Sequence, residues 1–200
     1  MEITAATQAL IRAGHFFHHR GWAPATAGNY SARLDGGRLL ITRSGAHKGE
    51  LGPDDLMVVD AEGRPENPDW RPSAETRLHT QLYAWDEAIG SVLHVHSVHS
   101  TLLSRRATGP LVLEDYELLK AFAGVQTHAT RLTVPIFANS QDMADIAAEA
   151  ARWRARGEPF YGYLIAGHGL YTWGRGVEDA RRHVEAFEFL FECELKARSR

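Results

Sequence analysis

The chain has 200 residues and a slightly acidic balance, with 22 Lys and Arg against 25 Asp and Glu. This length is enough to bury a substantial core, and residues 1–200 are expected to form a single domain. No basic stripe stands out, so the sequence carries no electrostatic footprint for nucleic-acid binding. Cys193 is the only cysteine, which excludes an intramolecular disulfide and a multi-thiolate zinc site and is typical of a reducing cytoplasm.

Targeting and membrane signals are also missing from the pattern. The first residues lack a basic stretch before an apolar run, as a secretory signal would have. No apolar run approaches the roughly 20 residues that a membrane-spanning helix needs. A cytoplasmic protein without a membrane partner is therefore expected.

The first half of the chain alternates between helical and extended patterns. Apolar residues spaced by three and four predict a helix over residues 3–20. A hairpin follows, with arms 30–34 and 38–42 around a Gly-rich turn, and then a strand at 57–59. Ser73 is a good N-cap residue, so the next helix is expected to begin directly after it, with Glu75 in its first turn.

The second half continues this alternation, which is typical of an α/β fold. The predicted elements are a strand at 92–96, a helix at 97–105, a short helix at 118–123, a strand at 132–137, a helix that Ser140 caps and that runs to 156, strands at 161–166 and 170–173, and a helix at 177–198.

His94 and His96 lie two residues apart on the predicted strand 92–96. Side chains alternate along a strand, so both imidazoles point to one face, roughly 6.5–7 Å apart along the backbone. Two imidazoles at this spacing can bind one divalent metal. The alternative is an ordinary pair of histidines at a strand end, because short motifs of this kind also occur by chance.

His168 lies between two glycines in the tight connection of strands 161–166 and 170–173. Flanking glycines permit unusual backbone angles and expose the imidazole. This arrangement favours a functional histidine over one that only packs. The other histidines, among them His79, His99, His128 and His183, are expected to be ordinary surface or core residues.

Two segments have the character of an anion site. Residues 42–49 form a polar, Gly-bearing loop in which backbone N–H groups can approach an anion, with Arg43 and Lys48 as counter-charges. The helix that begins near Ser73 presents free N–H groups at its N-terminus. A plain surface loop and an ordinary helix cap are the alternatives.

Three segments together resemble the class II (zinc-dependent) aldolase family: Gly28-Asn29-Tyr30-Ser31, His94-Val95-His96 and Gly167-His168-Gly169. That family includes sugar-phosphate aldolases, an epimerase, the adducin head and methylthioribulose-1-phosphate dehydratases. The resemblance spans nearly the whole chain. It implies a three-layer α/β/α sandwich with a largely antiparallel central sheet, and a homotetramer with active sites between subunits.

Within the family, the chain is most similar to the dehydratase branch, which acts in methionine salvage. Three stretches carry this likeness: residues 44–48, Glu117-Leu118-Leu119-Lys120, and residues 167–174. The resemblance implies one Zn²⁺ per subunit on His94, His96 and His168, and a sugar-phosphate substrate.

The same resemblance implies a role for further residues. Asn29, Ser44, Gly45 and Ser73 would surround the phosphate, with Lys48 adding charge. Glu117 occupies the place of the dehydratase acid/base and is favoured for that role. Glu75 instead matches the catalytic glutamate of the aldolases, which keeps an aldolase or epimerase as an alternative. A non-catalytic assembly module like the adducin head is the third reading.

Overall fold

Nine strands form two sheets in the computed structural model, which describes residues 1–198. The strands are β1 (Asn29–Arg33), β2 (Leu39–Thr42), β3 (Leu56–Val59), β4 (Ser91–Val95), β5 (Leu111–Glu114), β6 (Arg131–Val134), β7 (Ile136–Phe137), β8 (Gly162–Ile165) and β9 (Gly169–Gly174). The central sheet has the order β3-β2-β1-β4-β9-β8-β7, while β5 and β6 pair separately. Only β7 and β8 are parallel; the other paired strands of the described chain are antiparallel.

Helices cover both faces of the central sheet. They are α1 (Ile3–His19), α2 (Thr76–Trp85), α3 (Val98–Arg106), α4 (Met143–Arg154) and α5 (Val177–Ala197). On one face α1 and α5 bury residues such as Leu10 and Phe187. On the other face α2 and α4 bury residues such as Leu82 and Ile146. The predicted three-layer α/β/α sandwich with a largely antiparallel sheet is therefore confirmed.

The predicted strand at 132–137 is wrong in one respect. The chain changes sheets within it: β6 pairs with β5, and β7 joins the central sheet beside β8. Pro135 lies at the change, where it lacks the N–H that a continuous ladder would use. Strand β5 had no counterpart in the predicted elements.

Two predicted helix starts are also wrong. Helix α2 begins at Thr76, and the Oγ atom of Ser73 accepts a hydrogen bond of 3.3 Å from the N–H of Glu75 instead of capping the helix directly. Helix α4 begins at Met143 because Asp142 caps it, through the N–H of Ala144 at 2.8 Å. Serine can hold a turn before a helix as well as cap it, so its position alone did not fix the boundary.

The remaining predicted elements agree with the structure to within a few residues. Helix α1, the hairpin of β1 and β2, strand β4 and helix α5 all lie where the apolar pattern predicts them. Within residues 1–198, no helix is both long enough and apolar enough to cross a membrane.

Candidate functional site

Strand β4 places the first two histidines at the centre of the sheet. It lies between β1 and β9, and His94 stands opposite Asn29 on β1 and Tyr171 on β9. The His96 N–H leaves the ladder and donates to the carbonyl oxygen of Trp22 at 2.8 Å. The imidazoles of His94 and His96 stay on one side, with ring centroids 4.5 Å apart.

The β8–β9 connection brings the third histidine to the same point. Gly167 has a φ of +66°, a conformation that glycine adopts without strain. The N–H of His168 donates to the carbonyl oxygen of Ile165 at 3.0 Å, and the Thr101 hydroxyl donates to the His168 carbonyl at 3.1 Å. The turn and α3 therefore fix the backbone that carries this imidazole.

The three imidazoles converge through their Nε2 atoms. The Nε2 of His94 lies 2.8 Å from that of His96 and 3.3 Å from that of His168, and all three ligand atoms lie within 4.8 Å of one another. Nitrogen ligands of a tetrahedral zinc ion stand about 3.3–3.4 Å apart, given Zn–N bonds of about 2.0–2.1 Å. The His94–His168 separation of 3.3 Å matches this value, while the His94–His96 separation of 2.8 Å is shorter, so a bound ion would require His96 to move slightly outward.

Hydrogen bonding and burial also suit a metal. The Nδ1 atom of His94 bonds the carbonyl oxygen of Leu170 at 2.9 Å, which assigns the ring proton to Nδ1 and leaves Nε2 with a lone pair. Burial lowers the pKa of His96 to about 4, helped by the neighbouring His168 and Lys48. Burial also lowers the pKa of His94 and of His168. Neutral imidazoles are the form that binds metals.

Glu75 is brought to this cluster. Its Oε1 lies 3.3 Å from Nε2 of His168, and its Oε2 lies 3.8 Å from Nε2 of His94. The Asn29 side-chain amide donates to Oε2 of Glu75. The aldolase-like glutamate thus faces the same small volume as the three imidazole nitrogens.

A polar cavity of about 310 Å³ opens beside the cluster. Four of the five residues expected around a phosphate line it, namely Asn29, Ser44, Gly45 and Ser73. Glu75 and His96 line it as well. The Gly-bearing loop and the start of α2 therefore meet at one cavity, as the sequence predicts for an anion site.

Lys48 is close to this cavity without lining it. Its side chain is buried, and Nζ donates to the carbonyl oxygens of Thr26 at 2.9 Å and Ala46 at 2.6 Å. Burial lowers the pKa of Lys48 to about 8, opposed by the charges of Asp55 and Glu75. Lys48 therefore ties together two loops at the cavity and supplies its charge from within the protein.

Glu117 is not brought to the histidines within this chain. Its side chain is 73% exposed and forms ion pairs with Lys120 at 2.5 Å and His128 at 3.6 Å. The Lys120 hydrogen bond lowers the pKa of this carboxyl. Two glutamates were expected to transfer protons. Within one chain, Glu75 contacts the histidine cluster and Glu117 does not.

A second cavity, of about 540 Å³, lies on another side of the cluster. His96 and His168 line it, and α3 contributes Val98, Thr101 and Leu102. His96 also lines the polar cavity, so the two cavities adjoin at this residue. A ligand with an anionic end and an apolar end could therefore occupy both cavities across the cluster.

His79 belongs to the site, although the sequence pattern gave it no role. It is fully buried and hydrogen-bonds the side chains of Asn29 and Ser31. Glu75 and His79 are four residues apart at the start of α2, a spacing that places two side chains on one helix face. That spacing is the signal that could have linked His79 to the site.

The pattern of the Class II Aldolase and Adducin N-terminal domain family matches residues 8–195. The chain belongs to this family. It is 60% identical, over 96% of its own length and 95% of the relative, to the methylthioribulose-1-phosphate dehydratase of Pseudomonas paraeruginosa.

Solved structures of the class II aldolase family have the same fold. YgbL of Klebsiella pneumoniae, a putative aldolase/epimerase/decarboxylase, superposes with a TM-score of 0.84 at 26% identity, over 98% of this chain and 91% of that one. The L-fuculose-1-phosphate aldolase of Thermus thermophilus superposes with a TM-score of 0.76 at 25% identity, over 96% of this chain and 94% of that one.

Proposed function

We propose that this class II aldolase family member dehydrates 5-methylthioribulose-1-phosphate to 2,3-diketo-5-methylthiopentyl-1-phosphate, a step of methionine salvage in the cytoplasm. The 60% identity to a relative of that name, over nearly the full length of both chains, carries the proposal. The geometry supports it, because the cluster of buried His94 and half-buried His96 and His168 adjoins both a polar cavity and a partly apolar one. We also propose that residues 1–200 form one catalytic domain.

The proposed cofactor is one Zn²⁺ per subunit on His94, His96 and His168. When bound, the ion would act as a Lewis acid that stabilises negative charge on the oxygens at C2 and C3 of the substrate. The histidines contribute neutral, pre-oriented nitrogens, and His94 is held by its bond to the carbonyl oxygen of Leu170. Imidazole ligands suit Zn, Fe, Co and Ni alike. The proposal of zinc is therefore tested by measuring the metal content of the purified protein.

The substrate phosphate is proposed to occupy the polar cavity. Asn29, Ser44, Gly45 and Ser73 line it, and Gly45, with a φ of +79°, allows the loop backbone to turn its N–H groups toward an anion. Lys48 adds positive charge from behind the loop. The methylthio end would then extend past the histidines into the cavity that Val98 and Leu102 line.

The reaction removes a proton from C3 and a hydroxide from C4, so that water leaves and the remaining enol tautomerises to the 2,3-diketone. A proton-transfer group must reach the substrate at hydrogen-bond distance. We propose that Glu117 is this acid/base and that it reaches the site from a neighbouring subunit of a homotetramer. Its 73% exposed side chain supports this role, since a carboxylate on the surface of one chain is accessible to the site of a partner.

The surface around Glu117 also suits a subunit contact. Leu118 is 37% exposed and Phe189 is 53% exposed, and both line one groove of the described surface. Exposed apolar side chains grouped in this way are typical of interaction sites. Glu75, which lies at the histidines of its own chain, is proposed to orient the substrate and the amide of Asn29.

Turnover of the proposed substrate is the direct test. Purified protein with one equivalent of zinc should form the diketone from 5-methylthioribulose-1-phosphate and should not cleave fuculose-1-phosphate. Cleavage of fuculose-1-phosphate without diketone formation would reject the dehydratase and establish the aldolase alternative, which the position of Glu75 at the cluster favours. Zinc below about a tenth of an equivalent per chain, together with no turnover, would point to an adducin-like assembly module.

The origin of the acid/base can be tested by mixing two inactive variants. Glu117→Gln keeps the histidines, and His168→Ala keeps Glu117. If Glu117 acts in a neighbouring subunit, refolding an equal mixture should restore about a quarter of the wild-type activity, because random assembly pairs an intact cluster with an intact Glu117 at that frequency. A mixture that stays inactive would place Glu117 in the site of its own chain, and an active Glu117→Gln protein would transfer the role to Glu75.

A further inference from the structure

A chain of hydrogen bonds runs from Glu75 into the core beneath it. The Asn29 amide bonds Glu75, and its other end bonds Nε2 of His79. The Nδ1 atom of His79 lies 2.7 Å from Oγ of Ser31, which lies 2.8 Å from the Tyr83 hydroxyl. The four residues behind Glu75 come from β1 and α2, two elements that packing holds together.

The direction of every bond follows from the carboxylate at one end. A carboxylate only accepts hydrogen bonds, so the NH₂ group of Asn29 must face Glu75 and its Oδ1 must face His79. The Nε2 atom of His79 must then carry a proton to donate to Oδ1. A neutral imidazole carries only one such proton, so Nδ1 accepts from the Ser31 hydroxyl, and Ser31 accepts from Tyr83.

Because the network is buried, reversing any of its hydrogen bonds would cost free energy. Ser31 and His79 are 0% exposed, Tyr83 is 4% exposed and Asn29 is 6% exposed. Water is therefore not available to satisfy a reversed donor or acceptor, which would leave a buried polar group unpaired. Burial also lowers the pKa of His79 to about 3, so the ring stays neutral at physiological pH.

We propose that His79 is a positioning residue of the active site: its Nε2–H holds the Asn29 amide in the orientation that points the NH₂ group at Glu75 and the cavity. The Ser31 hydroxyl accepts from Tyr83 and donates to Nδ1 of His79, which satisfies the tautomer with the proton on Nε2. The Nε2–H in turn holds the rotamer of Asn29. Without this support only the bond to Glu75 would hold the amide, and the Asn29 side chain would be free to rotate away from the carboxylate. The hydrogen-bond donor facing Glu75 would then be lost.

The structural part of this inference can be tested without any turnover. Nitrogen-15 NMR of the protein labelled at histidine should show a neutral His79 with a proton on Nε2 and a bare Nδ1, unchanged from about pH 6 to 9. The resonances are assigned by their disappearance in His79→Gln. A proton on Nδ1, or a charged ring in this range, would overturn the proposal.

The kinetic part rests on the proposed dehydratase function. In His79→Leu, kcat/KM should fall roughly 10- to 100-fold at unchanged zinc content, the range expected when a hydrogen bond to a charged group is lost. His79→Gln should recover part of this loss, because its side-chain N–H can still donate to Asn29. A merely structural role would instead lower the thermal unfolding midpoint of the variants and leave kcat/KM per folded molecule, measured well below that midpoint, equal in the leucine and glutamine variants.

His183→Leu is the matched control. His183 is also a buried histidine, and it bonds the carbonyl oxygen of Trp173 at 2.7 Å, away from the cluster. This variant should keep the kcat/KM of the wild-type protein.

Equal activity of the leucine and glutamine variants at position 79 would overturn the positioning role. If the wild-type protein does not form the diketone, the proposed function fails, whereas the NMR result still decides how His79 holds Asn29.

Discussion

Gly169 approaches Val95 so closely that a Cβ atom on the glycine would stand 2.2 Å from the Val95 carbonyl oxygen and 3.1 Å from Cε1 of His94. Strand β9 can therefore lie beside β4 at this register only with a hydrogen atom at position 169. This close approach lies directly after His168 and against the ring of His94, so we expect it to govern the distance between these two imidazoles. The glycine after His168 is thus expected to serve the spacing of the proposed metal ligands, whereas Gly167 serves the turn.

Gly169→Ala is expected to damage both stability and metal binding. The methyl group must push β9 from β4, and overpacking of this kind costs typically about 1–3 kcal/mol. The displacement should also separate His168 from His94, so zinc affinity should fall at least tenfold. Thermal unfolding and zinc titration measure the two effects. Gly109→Ala is the control, because its added Cβ meets nothing within 4 Å; a loss of similar size there would remove the link to the β4 contact.

The zinc content of the purified protein should depend on the three histidines. Gently purified protein should hold about one zinc per chain, and His168→Ala should hold far less. Binding to the folded state alone stabilises it by about 2.7 kcal/mol at a free ligand concentration of 100 Kd. Chelation should therefore lower the unfolding midpoint of the wild-type protein and leave that of His168→Ala nearly unchanged. An equal response of both proteins would contradict a site on these histidines.

The sequence predicts the fold well and the site unevenly, for physical reasons. Periodic apolar residues locate α1, β4 and α5 because each buries one continuous face. The sheet change at Pro135 depends on tertiary pairing, which no local pattern encodes. Strand alternation pairs His94 with His96, whereas His168 could be grouped with them only through the family resemblance, since no local pattern says that β9 pairs with β4.

Glu117 and His79 show two further limits of the sequence. The motif around Glu117 suggests a catalytic role, yet no short-range pattern tells whether its own subunit or a neighbour uses it. His79 looks like a core histidine because its partners, Asn29 and Ser31, are about 50 residues away in the chain. The four-residue spacing from Glu75 could link His79 to the site, but its proposed positioning role follows from hydrogen-bond directions, which require coordinates.

The substrate affinity should depend on pH through Lys48. Burial disfavours the charged amine, so the lowered pKa of about 8 means that Lys48 is cationic below that pH and neutral above it. The cavity proposed to bind the phosphate therefore loses positive charge as the pH rises from 7 to 9. KM should increase about three- to tenfold over this range, equivalent to roughly 1 kcal/mol of screened attraction.

Lys48→Met separates this effect from other titrations. Its KM should already be raised at pH 7 and should stay nearly constant up to pH 9, because the titrating charge is gone. Steady-state kinetics at constant ionic strength provide the comparison. A KM that still rises with pH in Lys48→Met would assign the dependence to another group.

Discrimination between substrates should depend on Leu102. This half-buried side chain lines the cavity that also contains His96 and His168, where the methylthio end is proposed to bind. Burial of a methylthio group contributes roughly 1–2 kcal/mol, so Leu102→Ser should lower kcat/KM for 5-methylthioribulose-1-phosphate about 5- to 30-fold. Ribulose-1-phosphate, which carries a hydroxyl at C5, should be affected much less.

A half-buried leucine-sized residue outside both cavities gives the control. Ile11→Ser on α1 removes a side chain that packs against the core. It should change kcat/KM by the same factor for the two substrates. The deciding quantity is the ratio of the two kcat/KM values, because a general loss of stability lowers both and leaves their ratio unchanged. If Leu102→Ser leaves that ratio at the wild-type value, the methylthio group binds elsewhere, and residues from a neighbouring subunit become the next to test.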